Sequence, residues 1–257
     1  MAIEVKISGK TDVGMKRNHN EDNFYLVEEE KLFLVADGMG GHASGEVASE
    51  MAVKTVADFF ARTKNDEDVT WPYKMDKSRT LEENKIATGI KLANLRIFET
   101  STSDSTKKGM GTTFVGMFFH GDKCYIAHVG DSRIYRIRGG AIEQMTEDHS
   151  LLNDYIKMKK LTPEEIENFP HKNVIVRALG MKETVQVDVR TEKSQLNDVY
   201  LLCSDGLSGM ISDDDMLRIV VGDPDDLATA CAKMIALANK NGGTDNITAV
   251  LAKVIAL

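Results

Sequence analysis

The chain has 257 residues, a length that fits one large domain or two small ones and can bury a sizeable core. Its 40 acidic residues outnumber its 32 basic ones for a net charge of −8, and without a long basic run we expect no nucleic-acid partner. Its three cysteines are an odd number without a CxxC pair, which argues against a disulfide framework and a cysteine zinc site and predicts a cytoplasmic protein.

Short apolar runs separated by turn residues predict β-strands. In chain order these runs span residues 23–29, 31–37, 112–120, 124–131, 133–138, 141–145, 185–189, 198–205 and 246–254. Tight turns join the four runs between 112 and 145, which predicts one antiparallel meander. The first ten residues are charged where a signal peptide is apolar, and the longest uncharged stretch, 109–121, is too short to span a bilayer, so we expect no membrane contact.

Helices are predicted by caps and by apolar periodicity. The pattern over 44–62 is amphipathic, and a second helix starts at Thr80, which forms a capping box with Glu83. Pro163 and Pro224 each follow a capping residue, which predicts a helix start at both. Because the helices come in pairs and the strands are joined by short turns, the sequence predicts an α+β fold with helices covering sheet faces.

Acidic residues recur at the ends of the predicted strands. Three strands end in an acid beside a glycine, and three further acids directly precede a strand: Asp37, Asp131, Asp205, Glu21, Asp22 and Asp245. A lone Asp–Gly pair is most often a turn. Carboxylates gathered at one rim would repel each other and lose solvation, and a bound cation relieves that cost. Oxygen ligands favour Mg²⁺ or Mn²⁺ over a structural zinc ion.

Six short motifs follow in a fixed order: RNHNED (17–22), VADGMGGH (35–42), GTT (111–113), GDSR (130–133), SDG (204–206) and GTDNIT (243–248). Over residues 8–254 they resemble the metal-dependent Ser/Thr protein phosphatases, the PPM family of protein phosphatase 2C type, in its compact bacterial form. The resemblance implies a four-layer α–β–β–α sandwich of two mostly antiparallel sheets. It also implies one catalytic domain over 1–257, with a flap subdomain at about 148–180.

The resemblance further implies a binuclear Mn²⁺ or Mg²⁺ centre. Its ligands would be Asp37 between the two ions, Gly38 through its backbone oxygen, and Asp205 and Asp245 on the first ion. Glu21 or Asp22 would serve the second ion, directly or through water, and we favour Asp22. A third, weaker ion would bind Asp131 with help from Asp205.

By the same resemblance, the chain would hydrolyse phosphoserine and phosphothreonine in proteins by direct attack of a water held between the two ions. Arg17 would bind the phosphate, since its planar fork grips two oxygens at once. His42 would protonate the leaving alkoxide as general acid, a step worth about 10²–10⁴-fold. The expected partners are phosphorylated proteins and a cognate Ser/Thr kinase with its substrates, and we expect a monomer active in signalling.

Two other functions remain open. A catalytically silent pseudophosphatase would bind phosphoproteins without turnover, and a hydrolase of small phosphoesters could use the same chemistry. Simpler interpretations of single residues also stand: Arg17 could be a surface arginine, His42 a helix-start residue, and Asp131 could brace Arg133 in the GDSR turn. Trp71, in the polar stretch 63–79, could anchor that loop or mark a partner surface. The cysteines lie in apolar patterns and are expected in the core.

Overall fold

The computed structural model of the protein describes residues 3–40, 44–64, 71–159, 161–170 and 174–257. The strands in these ranges are β1 (Glu4–Asp12), β2 (Asp22–Val27), β3 (Leu32–Met39), β4 (Gly111–Thr112), β5 (Phe114–His120), β6 (Lys123–Val129), β7 (Arg133–Arg138), β8 (Ala141–Gln144), β9 (Asp188–Lys193), β10 (Val199–Cys203) and β11 (Ile247–Ala256). The helices are α1 (Gly45–Arg62), α2 (Leu81–Ser103), α3 (Leu151–Met158), α4 (Pro163–Glu167), α5 (Asp205–Ser208), α6 (Asp213–Gly222) and α7 (Leu227–Lys240). None of these helices is both long and apolar enough to cross a membrane.

The strands form two antiparallel sheets. The first sheet has the order β1-β11-β10-β7-β8, and the second has the order β2-β3-β5-β6-β9 with β4 beside β3. Their facing surfaces are apolar and share one core, to which the second sheet contributes Phe33 and Met117 and the first contributes Tyr200 and Val250. Because strands such as β3 are covered on both faces, they appear in the sequence as continuous apolar runs, as predicted.

Helices cover the outer face of each sheet. α1 and α2 pack on the second sheet, and α6 and α7 pack on the first. The predicted capping box starts α2, because Thr80 Oγ1 accepts from Glu83 N–H at 3.2 Å and Glu83 accepts from Thr80 N–H at 2.8 Å. Trp71 anchors its loop by packing edge-on against Phe59 of α1, with ring centroids 5.7 Å apart. The predicted four-layer α–β–β–α sandwich is confirmed.

The strands between residues 112 and 145 do not form the single meander that the sequence predicts. β5 and β6 pair in the second sheet, whereas β7 and β8 pair in the first. The chain crosses from one sheet to the other between Val129 and Arg133, where Gly130 adopts a φ of +110° that favours glycine. Local turn signals are the same for both pairings, so the sequence does not reveal the crossing. Its consequence is that Asp131 lies between the sheets.

Other elements also differ from the prediction. The sequence pattern missed β1 and α6, and the strand predicted at 185–189 starts later, as β9. The helix start predicted at Asp223 and Pro224 is wrong, since Asp223 ends α6 and the next helix begins at Leu227. The N-cap of α7 is Asp226, whose Oδ1 accepts from Thr229 N–H at 3.0 Å.

The described parts of the segment 148–180, which are residues 148–159, 161–170 and 174–180, form a small helical unit beside the sheets. α3 and α4 lie in it, and α4 starts after the predicted capping residue Thr162, with Pro163 at its first position. The two ends of the segment pair with each other, because Leu151 N–H donates to Val174 O at 2.8 Å and Val176 N–H donates to His149 O at 2.9 Å. The unit therefore leaves and returns to the sheets at one place.

Candidate metal centre

Five of the predicted acids meet at the ends of the strands. Asp22 and Asp37 are direct register partners on β2 and β3 of the second sheet. Asp205 follows β10 and Asp245 precedes β11 in the first sheet, and Asp131 lies in the crossing between the sheets. Each is close enough to Asp37 for its negative charge to raise the pKa of that carboxyl. The acids that the sequence scatters over the chain are therefore gathered in one site.

Hydroxyl groups tie the two sheets together at this site. Ser204, which directly follows β10, donates to Asp22 Oδ2 at 2.7 Å. Thr248, which lies in β11, donates to the same oxygen at 2.6 Å. Thr113 and Ser132 share a further hydrogen bond of 2.7 Å beside Asp37 and Asp131. Sequence reasoning did not single out these hydroxyls, although Ser204, Thr113 and Thr248 lie inside the matched motifs. Ser204 and Thr248 fix the Asp22 carboxylate without supplying a positive charge.

Burial and mutual repulsion make the acids hard to ionise. Burial, followed by the charges of the other four aspartates, holds the pKa of Asp37 well above its usual range. Burial raises the pKa of Asp22 to about 7 although Thr248 and Ser204 donate to it. Burial and the charge of Asp205 raise the pKa of Asp131 to about 7 as well. The cluster is unfavourable at neutral pH unless protons or cations neutralise it.

Three carboxylate oxygens in the cluster have no partner. Asp22 Oδ1, Asp131 Oδ1 and Asp205 Oδ1 are buried and accept no hydrogen bond from the residues that the structure describes. A buried acceptor without a donor costs free energy, and such groups usually have a role in binding. Carboxylate oxygens are the donors that Mg²⁺ and Mn²⁺ prefer. The residues present therefore fit divalent cations.

Gly38 belongs to this arrangement by close contact. It lies inside β3 with an ordinary strand φ, so the Asp37–Gly38 pair is not the turn that such a pair most often forms. A Cβ on Gly38 would lie 2.2 Å from Gly45 O and 2.6 Å from Glu21 O, which no side chain tolerates. Only glycine lets the strand pass this close to the start of α1.

Glu21 and Asp22 point to different surroundings. Asp22 faces the other aspartates, whereas the Glu21 carboxylate lies at the start of α1, where its ligand atom is within 4.8 Å of those of His19 and Glu46. Burial raises the pKa of Glu21. Sequence spacing did not predict the approach of His19 and Glu46, because the β2–β3 hairpin and α1 create it. Within the described ranges, no three of the five aspartates have ligand atoms that all lie within 4.8 Å of one another.

Arg17 lies at the mouth of the cluster. Its Nη2 donates to Asp245 Oδ2 at 2.6 Å, and its side chain is 48% exposed. The segment that carries Arg17 is held by Asn246, whose amide donates to Val13 O at 2.9 Å and to His19 O at 3.0 Å. Sequence reasoning did not assign a role to Asn246, and the GTDN motif was its one signal. Arg17 is therefore an exposed arginine that also contacts the acid cluster.

Asp131 does not serve to brace Arg133. The Arg133 guanidinium instead binds Asp148, with Nε 3.0 Å from Oδ1 and Nη2 2.7 Å from Oδ2, and donates to Tyr135 OH at 2.9 Å. A cavity of about 320 Å³ opens beside these residues. Its lining includes Asp131, Arg133, Asp148, Asp205, Met210 and Asp245. The cavity gives a ligand from solution access to the acids.

His42 lies outside the described residues. The three cysteines are buried and free, as expected for core positions. Burial raises the pKa of Cys203 to about 12 and that of Cys231 to about 11, and it also raises the pKa of Cys124. A thiol with such a pKa is a poor nucleophile at neutral pH, so the cysteines do not offer a covalent route.

The sequence profile described as Protein phosphatase 2C matches residues 15–252, which is most of the chain. The chain belongs to this family. Among protein phosphatase 2C relatives, the serine/threonine phosphatase stp of Listeria monocytogenes is 38% identical over 249 residues, which cover 94% of this chain and 93% of the relative.

Solved protein phosphatase 2C structures have the same fold. The serine/threonine phosphatase PstP/Ppp of Mycobacterium tuberculosis superposes with a TM-score of 0.85 at 31% identity and covers 99% of this chain and 100% of its own. The catalytic domain of PstP in complex with two manganese ions superposes with a TM-score of 0.82 at 31% identity and the same coverage. Both comparisons agree with the sandwich described above.

Proposed function

We propose that the chain is a metal-dependent protein phosphatase that hydrolyses phosphoserine and phosphothreonine in proteins. The observation on which this depends is the set of buried, unpartnered carboxylate oxygens gathered beside an open cavity. The family and the names of its relatives, which are serine/threonine phosphatases, support the same function. The manganese ions of the PstP complex support the metal dependence.

The described residues would hold Mn²⁺ or Mg²⁺ as a binuclear centre. Its ligands would be Asp37 on both ions, Asp205 and Asp245 on the first, and Gly38 O with Asp22 on the second. We prefer Asp22 to Glu21 because Asp22 Oδ1 is buried beside Asp37 without a donor. A third ion would bind Asp131 and Asp205, each of which has an unpartnered oxygen. When bound, divalent ions lower the pKa of water to near 7 and neutralise phosphate charge.

The side chains around the ions bind and orient the phosphate. Arg17, half exposed and already beside Asp245, presents two parallel N–H groups to phosphoryl oxygens. The hydroxyls of Ser204 and Thr248 hold Asp22 in place by donating to its Oδ2. We assign the proton donor for the leaving alkoxide to His42 on the motif match. A poor leaving group such as a serine alkoxide depends on this proton.

Several finer assignments belong to the same proposal. Residues 1–257 would act as one catalytic domain and as a monomer, with the segment 148–180 as its flap. A cognate Ser/Thr kinase and the proteins that it phosphorylates would be the partners in signalling. The three free, buried cysteines are compatible with a reducing cytoplasm.

Phosphate release from a phosphoserine protein, with Mn²⁺ and with EDTA, tests the function. We expect turnover with Mn²⁺, none with EDTA, and none for Asp37→Asn with Mn²⁺. Equal turnover with EDTA would reject a metal-dependent phosphatase. If His42→Ala slows phosphoserine but not p-nitrophenyl phosphate, whose leaving group needs no proton, His42 is the general acid. An unchanged rate for both esters would reject that role.

The pseudophosphatase is the weaker alternative because no carboxylate of the centre is missing. Tight binding of a phosphoprotein without turnover under Mn²⁺ would favour it. A hydrolase of small phosphoesters would show a higher kcat/KM for such esters than for phosphoproteins. We expect the opposite order.

A further inference from the structure

A second polar cluster joins the flap to the second sheet. It consists of His128 on β6, His149 at the start of the flap, Arg177 at its end, and Asp188, the register partner of His128 on β9. The His128 and His149 rings stack with centroids 4.7 Å apart. Ligand atoms of His128, His149 and Asp188 lie within 4.8 Å of one another, so the three could hold a metal by distance alone.

The protonation of His149 argues against a metal there. Gly130 N–H donates to His149 Nδ1 at 3.0 Å, so Nδ1 is the bare nitrogen and Nε2 has the proton. That Nε2 faces Asp188 Oδ2 at 3.2 Å and lies 2.9 Å from Arg177 Nη1, so it is not free to bind an ion. Burial lowers the pKa of His149 to about 4, which keeps the ring neutral. The Arg177 Nη1 lies 2.9 Å from Asp188 Oδ1 and supplies the positive charge instead.

His149 holds both backbone polar groups of Gly130. Besides the bond to Nδ1, His149 N–H donates to Gly130 O at 2.9 Å. Gly130 directly precedes Asp131, whose side chain is 8% exposed with one unpartnered oxygen. On its other side, His149 O accepts from Val176 N–H, next to Arg177. One chain of contacts therefore runs from the end of the flap through His149 to the turn that carries Asp131.

We propose that His149, Asp188 and Arg177 are positioning residues that fix the Gly130–Asp131 turn and thereby set the affinity of Asp131 for a divalent ion. The inference rests on the proposed function in that it takes Asp131 as an ion ligand. Asp188 orients the His149 ring, and Arg177 holds Asp188 while closing the base of the flap. Loss of such an outer contact usually weakens metal binding by about 10–100-fold.

Calorimetric titration with Mn²⁺ tests the proposal without an activity assay. Asp131→Asn first identifies which binding step belongs to Asp131. His149→Phe keeps an aromatic ring but removes the acceptor for Gly130 N–H, and it should weaken that step by about 10-fold. His149→Asn keeps an acceptor near the Nδ1 position and should weaken it less. Asp188→Asn keeps the shape but removes one of two acceptors and should also weaken it. In the Asp131→Asn background, His149→Phe should have no further effect.

Glu192→Gln is the matched control, since Glu192 lies on the same strand and pairs with Arg190 away from the flap. It should leave every Mn²⁺ step unchanged. Thermal unfolding in EDTA identifies any of the variants His149→Phe, His149→Asn and Asp188→Asn that fails to fold. If one fails, the Mn²⁺ affinities of the other two decide whether the proposal holds. Three variants that bind Mn²⁺ like the wild type overturn this inference alone. Wild-type protein that binds no Mn²⁺ overturns the proposed function as well.

Discussion

The aspartates at the two ends of strand β10 have buried carboxylate oxygens, and their surroundings compensate that charge in opposite ways. At the start of the strand, Asp198 receives two hydrogen bonds from the Arg138 guanidinium, at 2.7 and 2.6 Å, and one from Gln195 N–H at 2.7 Å. Just past its other end, Asp205 has a buried oxygen with no partner in the described ranges, and burial and the charge of Asp245 raise its pKa.

Asp198 is an acid that supports the fold, whereas the acids around Asp205 are arranged to bind a cation. A buried charge is tolerated when a counter-charge and hydrogen bonds compensate it, as at Asp198. Among the residues that the structure describes, the half-exposed Arg17 at their edge is the counter-charge that hydrogen-bonds to the acids around Asp205. Their local free energy is unfavourable in isolation, so a cation from solution is the partner that stabilises them.

Replacing Asp205, the acid past the C-terminal end of β10, should have the largest effect on turnover. Asp205→Asn removes a charged ligand, and we expect the turnover of a phosphoserine protein under Mn²⁺ to fall by more than about 100-fold, beyond the loss caused by an outer contact. The same change relieves repulsion, so the unfolding free energy in EDTA should rise. Phosphate release and urea unfolding measure the two effects. An Asp205→Asn protein that keeps its turnover, or is less stable in EDTA, would contradict the view that Asp205 is a metal ligand that destabilises the ion-free fold.

The same substitution at the other end should have the reverse pattern. Asp198→Asn removes the buried carboxylate that accepts from Arg138 and from Gln195 N–H. Because the Arg138 side chain is 27% exposed and water can solvate it, the unfolding free energy should fall by only about 1–2 kcal/mol. Its kcat/KM per folded molecule should match the wild type, because the residue lies at the opposite end of β10. Urea unfolding and phosphate release on the same preparation check both statements. A loss of Mn²⁺ affinity in this variant would contradict the claim that Asp198 supports the fold alone.

The pH dependence of stability should reveal the unpaired acids. Asp22 and Asp131 have pKa values of about 7 in the fold, above the roughly 3.9 of an unfolded chain, so the folded state binds more protons in between. The unfolding free energy in EDTA should therefore fall as the pH rises from about 4 to about 7, by up to about 4 kcal/mol for each of the two groups.

Saturating Mn²⁺ should remove that decline, since the bound ions keep the carboxylates ionised in the fold. Asp22→Asn should make the decline shallower, because the amide does not titrate, while its oxygen can still accept from Ser204 and Thr248. Urea titrations at pH 5, 6 and 7 measure the slope. A stability that rises with pH in EDTA would mean that the acids are not destabilised by burial.

The smallest effect is expected at Arg17, the arginine that hydrogen-bonds to the cluster through Asp245. Arg17→Ala should lower kcat/KM for a phosphoprotein by about 10-fold, since a charged hydrogen bond is worth about 1.5–3 kcal/mol. Because the side chain is half exposed, the change in unfolding free energy should stay within about 0.5 kcal/mol. Arg17→Lys should recover part of the activity, as a point charge without the fork. Unchanged kinetics for Arg17→Ala would remove Arg17 from the phosphate site.

The acids of the metal centre could be predicted because each ends or precedes an apolar run, a local signal. The layers could be predicted because β3 and β10 are apolar throughout, as doubly covered strands are. The crossing at Gly130 could not, since tight turns look alike whether the next strand stays in its sheet or leaves it. Nor could the contacts of His149 and Asp188, because residues far apart in sequence meet through strand pairing, and spacing along the chain does not encode that pairing.

The most direct measurement is anomalous diffraction from crystals soaked in Mn²⁺. Peaks enclosed by Asp37, Asp205 and Asp245, and absent from the Asp205→Asn protein at the first-ion position, would establish that the unpaired acids hold divalent ions. A fully soaked crystal with no peak near Asp37 would contradict the central claim, and the buried carboxylates would then need a different partner.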